Sequence, residues 1–506
     1  MTLHRRQFLQ LLGAGGAAAV SMGPLAQALA NAPQGSFRPA AQVDLDPVMH
    51  VINRLTYGPT PELVDYVRGI GVEAFIEEQL SPDAIDDSAL VPHMAEFDLL
   101  NRRAGELAAE FENNRQQIAN QLIGGQAMRA LYSRRQLYEV MVDFWNNHFS
   151  VYAQKGPVIF LVIDSDRDAI RPNALGTFRA LLGASAHSAA MLTYLDNIQN
   201  NRSGPNENYA REMLELHTLG VYGGYTEDDV KEVARAFTGW SIVRPRNQDS
   251  EIGEPGTFVY RPFFHDPGEK IVLGHSIPES GQTEGDMVLD IVAAHPSTAQ
   301  FITTKLVRRF VSDSPPPTLV QSASAIFTQT GGDIPSVLRA IFNSQEFWSA
   351  PPKFKRPFEF SMSVLRALAY NVDTNRPFIR SLVEALEAMG HVPFNHAAPD
   401  GYPDVAAEWQ DNLLNRWNVA VAAASNTVPG ASANTDALIA LLDRNGIPLE
   451  TAPTLDFMGQ YLFGRSLTPE ESAVVNEFAL AAPGGPDVQI ASGLALLLAS
   501  PAFQYR

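Results

Sequence analysis

A chain of 506 residues, 45% hydrophobic and 18% charged, can bury a large core, which separates it from disordered and fibrous chains. Its formal charge of −19 supplies no basic face for a phosphate backbone and so excludes a nucleic-acid partner. With no cysteine there is no disulfide, thiolate nucleophile, iron–sulfur cluster or thiolate zinc site, and any metal must be held by His, Asp, Glu or Asn.

Residues 1–30 read as an address rather than as structure. Arg5-Arg6-Gln7-Phe8-Leu9 precedes a weakly apolar Ala/Gly-rich run that ends in Ala28-Leu29-Ala30, a small-residue cleavage site. The arginine pair resembles a twin-arginine export signal, a route taken by proteins that are already folded. The expectation is a periplasmic or secreted protein beginning at Asn31. No later apolar run is long enough for a bilayer, so no membrane span is expected after cleavage.

Helices come next. Asp46-Pro47 caps and opens one through Leu55, Thr60-Pro61-Glu62 opens the next, and Val72 to Leu80 forms a third. Residues 103–123 read as one polar amphipathic helix. Over 128–150 the apolar face Leu137, Val140, Met141 and Phe144 extends to His148, so this imidazole points inward, with Asn147 beside it.

The most informative stretch runs from Asn206 to Gly220. Asn206 suits an N-cap and Gly220 a left-handed stop, and a single α-helix is predicted between them. At about 100° per residue its apolar arc includes Tyr209, Met213, Leu214, Leu216 and Leu219, with His217 near the middle and Glu212 at the edge. Inward carboxylate and imidazole groups are costly unless paired, hydrogen-bonded or metal-bound. Asn208 and Glu215 share the adjoining polar stripe, and Arg211 looks outward.

Thr226 to Asp229 forms a capping box for a further helix. Phe258 to Phe263 and Ile271 to Leu273 then read as strands of a hairpin turned by His265-Asp266-Pro267-Gly268, which places His265 and Asp266 at a tip able to reach over a site. Two later segments match each other. Phe310, Gly331-Gly332 and Ser344 to Phe347 recur as Phe463, Gly484-Gly485 and Ser500 to Phe503, which predicts two equivalent helical units. Between them lie helices at about 357–371 and 376–390, the rigid loop Asp400-Gly401-Tyr402-Pro403, and a linker over 425–435.

The predicted fold is mostly α: a multi-helical body with a small β-hairpin and two related C-terminal helical units. Residues 1–30 are the signal, 31–424 the main domain with the hairpin near 257–274, and 436–506 a unit resembling 306–348.

Taken together, Phe144 to Phe149, Asn208 to Gly220, Val233 to Trp240, His265 to Gly268, Asp400 to Pro403 and Ser500 to Phe503 resemble the motifs of a bacterial exported family, domain of unknown function eighteen hundred. Met213 stands where that family has Leu, a volume-conserving change. The resemblance implies a largely helical exported protein, often encoded beside a sulfatase-like twin-arginine protein, and brings no activity with it.

Two functional readings stay open. In one, a divalent metal bound by His148, Glu212, His217, His265 and Asp266 activates water for an envelope hydrolase acting on a polymeric, sulfated or glycan substrate. His148, Glu212 and His217 are then the catalytic candidates, supported from behind by Asn147, Asn208, Arg211 and Glu215. In the other, these groups form a structural network in a non-catalytic periplasmic binding or scaffold partner of the sulfatase-like protein. The absence of an H-E-x-x-H, a G-x-S-x-G or a phosphate loop excludes zincins, α/β-hydrolases and P-loop enzymes.

Overall fold

In a computed structural model that describes residues 22–39, 46–246, 253–373 and 375–506, helices dominate and the strands form three small antiparallel pairs. The arginine pair of the expected export signal lies outside the described residues. A helix over Met22–Asn31 runs through the expected cleavage site and buries Leu25. Among the described residues no helix is long and apolar enough to cross a membrane.

Local sequence chemistry sets many boundaries. Asp46 accepts from the Val48 amide ahead of the Pro47–Leu55 helix, and Thr226 and Asp229 cap each other ahead of Glu227–Ala236. Pro61–Ile70 and Val72–Gln79 form as predicted. The single helix predicted over 103–123 is instead two, Ala104–Glu110 and Arg115–Tyr132, because the chain turns at Phe111 to Asn114, where the Asn114 amide donates to the Phe111 carbonyl.

The predicted hairpin over 257–274 has different partners. Phe258–Tyr260 pairs with Trp240–Ile242, and Lys270–Val272 pairs with His275–Ile277. The short turn Pro262–Phe264 diverts the chain after the first strand. Leu273 and Gly274, both at positive φ, close the second pair as a two-residue turn and take the partner that His265-Asp266-Pro267-Gly268 was expected to supply. The expected linker is also structured: Ala431–Ala433 pairs with Tyr370–Val372.

The two repeated units share local chemistry. Ser344 Oγ donates to the Ile341 carbonyl and Ser500 Oγ to the Leu497 carbonyl, each at 2.7 Å, and each serine opens a short helix that buries Phe347 or Phe503. Both phenylalanine carbonyls meet a buried basic group, His50 Nε2 and Lys355 Nζ respectively, at 2.9 Å.

A charged layer lies in the interior. Glu359 is enclosed by Arg309, Arg356 and Arg506, and Asp143 also pairs with Arg356. Burial opposes the Glu359 charge, but the surrounding guanidinium groups outweigh it and hold the carboxyl well below its usual range. Arg309 and Arg356 form part of the floor of an open cleft of about 470 Å³.

Candidate functional site: a lysine–histidine cleft

Three distant segments build this cleft. The helix Gln136–His148 supplies Phe144, Asn147 and His148; the helix Pro296–Phe310 supplies Phe301, Lys305 and Arg308; and the loop 400–404 forms the lip. Asn147 holds the lip by donating to the Tyr402 carbonyl at 2.9 Å and accepting from the Tyr402 amide at 2.8 Å. Gly401, at φ +75°, permits that approach, since a Cβ there would sit 2.1 Å from the Asn147 carbonyl oxygen.

The stretch around His217 differs from the predicted single α-helix. An α-helix over Asn208–Glu212 widens into a π-helix over Met213–Thr218, in which the Leu219 amide bonds the Leu214 carbonyl at 2.9 Å and Thr218 Oγ donates to the Met213 carbonyl at 2.7 Å. The threonine hydroxyl thus captures a carbonyl five residues back, and the wider turn re-aims the residues after it. Gly220, at φ +81°, ends the element and leaves room for the Phe301 ring, which a Cβ would meet at 2.8 Å. The last carbonyls of such an element lack internal donors. That of His217 is satisfied from outside, by His148 Nε2 at 3.0 Å.

This bond fixes the chemistry of His148. Nε2 must carry the proton, so Nδ1 is the acceptor, and Lys305 Nζ donates to it at 2.9 Å. Burial, reinforced by the Lys305 charge and by His217, holds the His148 pKa well below the usual imidazole range. Burial and Lys305 likewise lower that of His217 to about 3. Both rings are therefore neutral at physiological pH, with centroids 6.1 Å apart. Lys305 stands over the Phe301 ring, and burial followed by repulsion from Arg308 lowers its pKa to about 8, against the opposing pull of Asp400 and Asp404.

The other predicted site residues have different surroundings. Glu212 is half-buried; desolvation and then Glu215 raise its pKa, Arg211 opposes them, and Asp400 adds to the rise. His265 Nε2 lies 3.0 Å from Glu284, which Lys270 also meets at 2.6 Å, while His265 Nδ1 meets the Thr238 carbonyl. Asp266 pairs with Arg235 at 2.8 Å. These two residues pin the strand region to its neighbouring helices. Of the expected supporting residues only Asn147 lines the cleft; Asn208 bonds the Leu195 carbonyl, Arg211 pairs with Glu207 and Glu227, and Glu215 meets the Tyr225 hydroxyl at 3.5 Å.

The donor set does not fit a divalent ion. Both nitrogens of His148 are engaged, an ammonium stands beside them, and of the two imidazoles, His148 and His217, only His217 keeps a buried nitrogen, Nε2, without a hydrogen-bond partner. Among the described residues no group of three His, Asp or Glu side chains is arranged to hold a metal. Lys305 and Arg308 are among the cleft residues that helical periodicity and motif spacing do not single out. The available signal was a lysine one turn from Phe301 and one turn from Arg308 on an otherwise core-facing helix.

No curated protein and no solved structure matches the chain. The family profile described as protein of unknown function (DUF1800) matches residues 50–505, nearly the whole length, and the chain belongs to that family.

Proposed function

We propose that this is an exported enzyme of the bacterial envelope that hydrolyses its substrate in the 470 Å³ cleft, with Lys305 as general base. One observation carries the reading: the Lys305 amine faces the cleft, has no carboxylate ion pair among the described residues, and has its pKa lowered to about 8 while bonded to His148. A base is most effective when its pKa lies near the working pH. As the free amine, Lys305 takes a proton from water while the water oxygen bonds to the scissile centre. The resulting ammonium returns that proton to the leaving group. His148 is a positioning residue, since its own proton is committed to the His217 carbonyl. Export through the twin-arginine route is supported by Arg5-Arg6 and the small-residue cleavage site.

The test is a panel of ester, amide and glycosidic chromogenic substrates assayed with the purified protein and with Lys305→Met. Turnover in the wild type should rise with pH to a plateau above about 8 and be lost in the variant. Turnover that survives Lys305→Met would overturn the assignment. One feature favours a non-catalytic scaffold that binds a sulfatase-like exported partner: both His148 nitrogens are already satisfied, as in a structural pin. On that reading Lys305→Met lowers stability and leaves no turnover to lose.

A further inference from the structure

Lys305 and Arg308 are three residues apart on one helix, where like charges repel. Both face the cleft, and Arg308 acts on Lys305 electrostatically. Neither has a carboxylate ion pair among the described residues: Lys305 meets His148 and the Phe301 ring, and Arg308 makes only a 3.5 Å contact to the Asp313 carbonyl. The other charged residues of the cleft, apart from the carboxylate of Glu408 at its rim, have partners of their own. Arg309 and Arg356 are neutralised by Glu359 and Asp143, Asp404 pairs with Lys353 at 3.0 Å, and Asp400 pairs with His396 at 3.1 Å. Two adjacent half-buried cations thus stand without an ion pair beside an open volume, while Asp400 and Asp404 act on Lys305 only from a distance.

We infer that Lys305 and Arg308 form a subsite for an oxyanionic group of the substrate, a phosphoryl, sulfuryl or carboxylate substituent held between the ammonium and the guanidinium. A guanidinium offers paired donors that match such oxygens, and an ammonium adds a point charge from the other side. The bound anion would relieve the repulsion between the two cations. This inference rests on the cleft being the working site but does not require Lys305 to act as a base. An anion beside Lys305 would favour its charged form, so this binding role and the base role compete for the same amine.

Calorimetric titration of the full-length exported protein with inorganic phosphate, sulfate and acetate, at low millimolar concentration and matched ionic strength, tests this directly. Saturable binding of at least one of the three is expected, and the preferred anion identifies the substituent. Arg308→Gln should weaken it at least tenfold, and Arg308→Lys should restore part of it. Arg380→Gln, on a distant exposed helix, should leave it unchanged. Absence of saturable binding, or equal affinity in Arg308→Gln and wild type, would overturn the inference. The base role is read separately, from whether turnover of an uncharged chromogenic substrate is lost in Lys305→Met but kept in Arg308→Gln, so either idea can fail while the other stands.

Discussion

Asn147 and Tyr402, 255 residues apart in sequence, bond each other twice, through Asn147 Nδ2 to the Tyr402 carbonyl and the Tyr402 amide to Asn147 Oδ1. The side-chain amide acts as a short strand partner and holds the lip of the cleft against the helix that carries His148. Gly401 makes this possible. Gly401→Ala should therefore destabilise the protein by about 1–3 kcal/mol, since a methyl group there collides with backbone in a left-handed conformation. Gly446→Ala is the control: it has φ +67° but open space around it. Chemical denaturation of the two variants checks the prediction, and equal costs would remove the close approach from the account.

Stability should be acid-sensitive through the two buried imidazoles of this site, alongside His50 and His391, whose pKa values burial also lowers. His217 titrates at about 3 in the fold and His148 also far below its ordinary value, so between roughly pH 6.5 and pH 3 the unfolded chain binds more protons. Stability from these groups is full above that window and lost as pH falls through it. The slope is about 1.4 kcal/mol per pH unit for each imidazole. His217→Gln should flatten the dependence over this window, as read from denaturation midpoints at several pH values. An unchanged slope would contradict the burial assigned to His217.

Phe347→Ala and Phe503→Ala should each cost about 3 kcal/mol, because both rings are buried and occupy matching positions behind Ser344 and Ser500. Urea denaturation compares them. A loss confined to one would separate the two units.

Replacing Arg5 and Arg6 by Lys should block export, since an ammonium cannot reproduce the planar fork of a guanidinium. Cell fractionation with antibody detection reads this. Mature protein in the envelope fraction of the double variant would contradict the twin-arginine assignment.

The sequence spoke most clearly where structure is set locally. The Asp46 and Thr226 caps, the Gly220 stop and the inward face of His148 all depend on neighbours a few residues away, and all are present. Strand partners could not be read from the sequence. Phe258–Tyr260 chose Trp240–Ile242, a pairing decided by the Pro262–Phe264 turn and tertiary packing rather than by alternation. The widened turn over Met213–Thr218 was hidden in a run of strong helix formers, where the bond from the Thr218 hydroxyl to the Met213 carbonyl leaves no periodic signal. Lys305 was hidden for a different reason. On its own helix it looks like any cation beside Arg308 and Arg309, and its partner His148 lies 157 residues away. His148 and His217 were found because burial of an imidazole is written into helical periodicity, whereas their link through a backbone carbonyl is not.

The central claim is that the Lys305 amine, held by His148 in the cleft, changes its charge near neutral pH. Its titration can be followed by heteronuclear NMR of the lysine ε-methylene and ζ-nitrogen, with the signal assigned by its disappearance in Lys305→Arg. The account predicts a midpoint of about 8; a midpoint at the ordinary lysine value of 10.5 would contradict it.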